Sequence, residues 1–288
     1  YTRRRQHAAA IRVGLHAVRT LNHEVRRRRS RDEPAEPVAV TRAMARYNLA
    51  YAYHEADRPR RAMQWFQASL RDYELLLARC PPLRDDAARA TVNLAHAELR
   101  EGRIAHALQL YLQAAGTFRE LIDAGARHLV AEEANARLGA ARALACAGRP
   151  QAALAQAKRS LLRFARLTRG GQLQHAPAWS RGVREVEDAL LRGWLIADRA
   201  DGPDREFESA FDTLAQLRAR PPRFTHPVGA DPVHEIQAHL RQLACCLEDG
   251  ATHPPRRAAL VRYTAAAFAS TLDRTAELLA AAEPAWLI

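Results

Sequence analysis

"NLAYAYHEADRPRRAMQWFQASL", residues 48–70, and "NLAHAELREGRIAHALQLYLQAA", residues 93–115, share a skeleton but few charged residues. Leu49 falls on Leu94, Ala50 on Ala95, Asp57 on Gly102, Ala62 on Ala107 and Phe66 on Tyr111, each pair 45 residues apart. A third copy, "AARALACAGRPQAALAQAKRSL" at residues 140–161, puts Gly148 46 residues after Gly102 and Ala153 on Ala107, with Ala157 in place of the aromatic. Self-similarity at a fixed period of this size describes a stack of like supersecondary units, each burying its neighbour's apolar face.

The unit follows from side-chain periodicity. Leu49, Tyr53 and Ala56 make one apolar stripe of a helix, and Ala62, Phe66 and Leu70 make the stripe of a second. Between them stand "ADRPRR", "EGRIAH" or "AGRPQA". There Gly or Asp ends the first helix in the left-handed region, and Pro59 or Pro150 opens the second, where no N–H is needed. Each copy is thus a helical hairpin. Small residues such as Ala50 and Ala62 let the two axes approach, and the aromatic fills the remaining wedge.

Leu49-Ala50 followed by Tyr53, Asp57, Ala62 and Phe66 resembles the tetratricopeptide repeat, over residues 36–168. The common period of that family is about 34 residues, so the extra length here is expected to extend helices around Asp72–Cys80 and Arg119–Ala124. The resulting expectation is an all-α fold, an α-α superhelical solenoid of tetratricopeptide-like hairpins. Its divisions are a basic amphipathic helix and linker over 1–33, three repeats over 34–168, and divergent hairpins over 169–288 that cap the solenoid. After a loop at "RLTRGGQLQHAPAW", the stretch "REVEDALLRGWLIADRADGPDREFESAFDTLAQL" reads as helix, Gly-Pro turn and helix, and a second break at "RARPPRFTHPVGADP" precedes two last helical segments around 233–248 and 256–282.

Composition agrees with this class. The chain of 288 residues is 48% apolar but only 6% aromatic, and it is dominated by the strong helix formers Ala, Leu and Arg. The formal charge is +12, of which residues 1–31 supply +9, ten Arg against Glu24, leaving +3 for the rest. A basic helix is therefore joined to a nearly neutral body. Ala8, Ile11, Leu15, Val18 and Val25 fall on one side of it and should pack on the first repeat. Arg26, Arg27, Arg28 and Arg29 are candidates for contact with nucleic acid; the alternative is a solvated helix face. No apolar run reaches the roughly 20 residues of a membrane span, and Cys80, Cys146, Cys245 and Cys246 are scattered, which together suit a reducing cytoplasm. Cys146 and Cys245, set among Ala and Leu, are expected as small buried hydrophobes. The first residue is Tyr1 rather than an initiator Met, which suits a piece of a longer protein.

Enzyme chemistry finds no foothold. There is no Gly-rich phosphate loop, Cys-x-x-Cys or His-Glu-x-x-His. His234 and His239, five apart, diverge on a helix, and adjacent His54 and Glu55 diverge by about 100°. A non-enzyme without cofactor or metal is expected.

Asparagine occurs only at positions 22, 48, 93 and 135, and the last three fall on first helices. It costs up to about 0.7 kcal/mol relative to Ala inside a helix. In the family this sequence resembles, first helices line the concave surface. That resemblance would place Tyr47, Asn48, Tyr51, Glu55, Arg89, Asn93, His96, Arg100, Asn135 and Arg142 in a groove, with Met44 and Cys146 beside them. A side-chain amide complements a peptide unit, and an extended segment with acidic and apolar residues would suit a lining that holds Arg89, Arg100 and Arg142. The other reading gives Asn48 and Asn93 to repeat-to-repeat stacking. At the level of function, the first expectation is a scaffold or adaptor that binds a protein or an extended peptide. The alternative is the sensing domain of a transcriptional regulator whose DNA-binding module lies outside this chain.

Overall fold

The computed structural model describes residues 2–169, 182–187, 189, 190, 193 and 203–219, and among these every regular element is a helix. In chain order they are α1 (Thr2–Ser30), α2 (Glu36–Glu55), α3 (Pro59–Leu77), α4 (Arg84–Arg100), α5 (Ile104–Asp123), α6 (Val130–Cys146), α7 (Pro150–Arg169) and α8 (Pro203–Ala219). A further helical run occupies 182–187. The expected segments beyond 219, with Cys245, Cys246, His234 and His239, lie outside the described residues.

The chain divides into two compact units, at Ala143 and Leu144. In the first, α2 packs on α3 and α4 on α5, while α1 packs on α2 and α3 on α4, so consecutive helices from α1 to α5 are neighbours. In the second, α7 packs on α8, and Gln151 Nε2 donates to the Glu206 carbonyl at 3.2 Å.

The turns fall where Gly and Asp placed them. Asp57, Gly102 and Gly148 have φ of 58°, 78° and 70°, and α3 and α7 open on Pro59 and Pro150. Each turn closes with the same pair of bonds. Arg58 N–H reaches the Tyr53 carbonyl at 3.0 Å, Arg103 N–H that of Glu98 at 2.9 Å and Arg149 N–H that of Leu144 at 2.9 Å. The left-handed residue itself bonds three residues back, so carbonyls the helix end would orphan are satisfied. The same closure recurs at Asp32 (φ 55°) after α1 and Gly125 (φ 106°) after α5. The extra length of the period does extend the second helices, α3 to Leu77 and α5 to Asp123. It also holds short 3-10 turns, Pro81–Leu83 and Arg127–Leu129, that periodicity alone does not reveal.

The repeated skeleton is the core of the first unit. Leu49, Ala50, Ala62, Phe66, Leu94, Ala95, Ala107 and Tyr111 are buried in one cluster. Val18 of α1 joins it, with Ile11 and Leu15 packed against it, and Val25 packs with Ala39 and Leu76. Gly139 of α6 lies against the ring of Tyr111, where a Cβ would stand 2.2 Å from the nearest ring carbon. Ala8 is exposed and ends the apolar stripe early.

Polar groups in this core differ from hairpin to hairpin. Asp72 of α3, 4% exposed, receives a two-pronged contact from Arg42 at 2.8 and 3.0 Å and an ion pair from Arg46 at 2.9 Å. Arg46 also donates to Asn22 of α1 at 3.2 Å, which gives the remaining asparagine a partner. In the second hairpin Glu98, fully buried and 45 residues after Tyr53, faces Arg103 at 2.9 Å and His106 at 3.3 Å.

Candidate functional site

The outer face of α2 leaves Met44, Asn48, Tyr51 and Glu55 exposed, with Tyr47 half-buried beside them. Met44, Tyr47 and Tyr51 follow the i, i+3, i+7 spacing of one helical stripe. Tyr47 meets Phe66 edge-on, ring centroids 5.7 Å apart, and so joins this stripe to the core. Burial raises the pKa of Tyr51, with the adjacent Glu55 carboxylate as the second cause.

On α4, Asn93 and Asn48 occupy equivalent places in the repeat and different environments. Asn93 is half-buried and its Nδ2 donates to the Tyr47 hydroxyl at 2.6 Å, tying α4 back to α2. Asn48 is exposed and makes no such bond. The reason is position in the stack, since Asn93 finds Tyr47 on the hairpin before it, whereas Asn48 is preceded by α1. Asn135 is exposed on α6.

His96 is half-buried and stacks edge-on against Tyr111, centroids 5.2 Å apart. Its pKa is pushed down to about 3, first by burial and then by the charges of Arg142 and His54, so the imidazole is neutral at pH 7. Arg142 is half-buried on α6. Burial, with Arg100 second, also lowers the pKa of His54.

Two of the arginines that the sequence offered as a basic lining, Arg89 and Arg100, are already matched by acids. Arg89 contacts Asp85 at 2.8 Å, Asp86 at 3.1 Å and Glu132 of α6 at 3.6 Å. Three carboxylates stand against one guanidinium there, and burial, then Asp85, raises the pKa of Asp86. Arg100 pairs with Asp57 and reaches the His54 carbonyl, which fastens it to the preceding turn. The expected basic groove is therefore corrected: the Arg89 end of this surface is acidic. The sequence carried that signal, because Asp85 and Asp86 precede Arg89 by four and three residues and so share its helix face.

Of the four N-terminal arginines, Arg27 and Arg28 turn inward along the helix to Glu24, at 2.7 and 2.9 Å. Those bonds hold Glu24 at a pKa of about 2, Arg27 first and Arg28 second. Arg26 and Arg29 are exposed. A cavity of about 630 Å³ opens near Arg29, at the turn from α1 to α2, but its main charges are spent on one another, Glu36 on Arg79 and Asp72 on Arg42.

Among the described residues no group of three or more His, Cys, Asp or Glu is placed to hold a metal ion. None of the described helices is long and apolar enough to cross a membrane. Cys80 and Cys146 are both half-buried, so Cys146 is not enclosed as its Ala-rich surroundings suggested.

No family model and no curated protein matches the chain. Two solved structures resemble it. One is BtubC (BKLC) from P. vanneervenii, at 16% identity over 94% of this chain and 92% of that one, with a TM-score of 0.48. The other, a putative kinesin light chain from Podospora anserina with nearly identical TPR-like repeats, is 16% identical over 76% of this chain and 93% of that one, with a TM-score of 0.44. With helices alone among its described elements, hairpins that recur every 45 or 46 residues, left-handed turns at fixed places and small residues where helices meet, the chain has an all-α, tetratricopeptide-like repeat fold.

Proposed function

We propose that this chain is a non-enzymatic scaffold that receives a protein segment, as an extended peptide, along the face shared by α2, α4 and α6. The observation that carries the reading is the wet stripe on α2. Met44 and Tyr51 are 49% and 48% exposed, seven residues apart, with exposed Asn48 between them. Two large apolar side chains on one helix face offer anchorage without a core reason to be there, and a Met adapts to differing partners. The amide of Asn48 offers a donor and an acceptor to a passing backbone.

The surrounding charge supports a particular ligand chemistry. With Asp85, Asp86 and Glu132 set against Arg89, the fitting segment pairs an aliphatic or aromatic residue with a Lys or Arg. Selection of displayed random peptides on the chain, with a Met44→Ala/Tyr51→Ala variant as counter-target, tests this. Enrichment of basic-plus-apolar sequences that the variant no longer holds supports it. Enrichment of acidic sequences, or equal retention by the variant, refutes it.

A further inference from the structure

The outer side of α1 carries a row of Arg and His side chains that the repeats do not use. Arg12, His16, Arg19, His23 and Arg26 follow i, i+4, i+7, i+11, i+14 spacing, and all five are exposed. Their spacing puts them on one narrow strip of the helix. Arg12, Arg19 and Arg26 have no ion-pair partner among the described residues, and the single acid of α1, Glu24, is held by Arg27 and Arg28. At 1.5 Å per residue the three guanidinium positions extend over about 21 Å, the length of roughly six stacked base pairs.

We propose that this strip docks the phosphate backbone of double-stranded nucleic acid. The surface's own chemistry selects that occupant over other polyanions. A bilayer would require an apolar face, yet Val18 and Val25 are buried in the repeats, with Ile11 and Leu15 packed against them, and Val13 is the one large apolar side chain of α1 left well exposed. An acidic partner helix would need an apolar seam, which the row of Arg and His lacks. Single strands call for stacking platforms, but no Phe, Tyr or Trp occurs from Thr2 to Arg46. What remains is a rigid row of charges spaced along a helix, without base-reading groups, which suits backbone contact irrespective of sequence. This inference is independent of the peptide-binding face.

Fluorescence anisotropy with a mixed-sequence 24-base-pair DNA duplex, over a range of salt concentrations, tests it. The Arg12→Gln/Arg19→Gln/Arg26→Gln variant should lower the slope of log affinity against log salt by about 2.7, and affinity at 0.1 M salt by roughly 500-fold, if each Arg neutralises one phosphate. The corresponding Lys triple keeps the charge and should keep the slope. An Arg58→Gln/Arg61→Gln/Arg71→Gln variant, losing the same charge from exposed positions at α3, should leave it unchanged. Circular-dichroism melts of all three confirm that folded proteins are compared. Equal loss in the α3 variant would assign binding to bulk charge and overturn the proposal. So would phosphatidylserine vesicles or polyglutamate that bind the wild-type chain as tightly as DNA through the same three arginines.

Discussion

Asn48 and Asn93 are interchangeable in the repeat pattern and should respond unequally to Ala. Both sit in the middle of helices, so each replacement gains up to about 0.7 kcal/mol of helix propensity. That is the whole effect at exposed Asn48, and Asn48→Ala should stabilise the protein. At Asn93 the same gain is opposed by loss of the 2.6 Å bond to Tyr47, with a net worth of about 0.5–1.5 kcal/mol. The propensity contributions cancel in the difference, so Asn93→Ala should lie about 0.5–1.5 kcal/mol below Asn48→Ala in stability. Urea unfolding of both variants measures this. A double-mutant cycle of Asn93→Ala with Tyr47→Phe, which spares the contact of the ring with Phe66, should return a coupling of the same size. Equal stabilities for the two variants, together with zero coupling, would refute the idea that stack position separates these asparagines.

Gly139→Ala should cost about 1–3 kcal/mol, read by the same denaturation, because its Cβ must displace the buried ring of Tyr111; an unchanged midpoint would contradict the close approach. Asp32→Gly should stabilise by about 0.5–1 kcal/mol by removing a Cβ from a left-handed turn, and Gly102→Ala should destabilise by about 1–2 kcal/mol for the converse reason, both visible in thermal melts. His96 has a folded pKa depressed to about 3, so the unfolded chain binds the proton more readily. Stability from this site is complete above pH 6.5 and falls as pH drops through the unfolded pKa toward the folded one. The loss between pH 7 and 5 should be at most about 2 kcal/mol, and His96→Phe should flatten that part of the profile.

How far the sequence foretold these features depended on the range of the interaction. Turns at Asp57, Gly102 and Gly148 were legible because backbone sterics act on the residue itself, and Pro59 and Pro150 mark the helix starts locally. The apolar skeleton was legible because a helix period is fixed. Arg89 was readable but misread: its acids are three and four positions away, and counting arginines along the groove concealed them. The bond from Asn93 to Tyr47 and the pairing of Arg100 with Asp57 span 46 and 43 residues. No local rule supplies such contacts, and repeat alignment hides them by treating unequal neighbours as equal.

The hairpins share an apolar skeleton, so hydrophobic contact alone would accept α2 against α5, or α4 against α3, as the two helices of one hairpin. The buried carboxylates do not permit that exchange. Asp72 of α3 needs Arg42 and Arg46 of α2, and Glu98 of α4 faces Arg103 and His106 at the start of α5. Pairing α3 with α4 as one hairpin would leave Asp72 enclosed without its guanidinium groups, at a cost of about 3–5 kcal/mol. The charges distinguish otherwise similar helices, and a chain in which both sets were replaced by well-packed apolar residues should lose pairing fidelity before it loses stability, exchanging helices between molecules and accumulating as swapped oligomers on refolding.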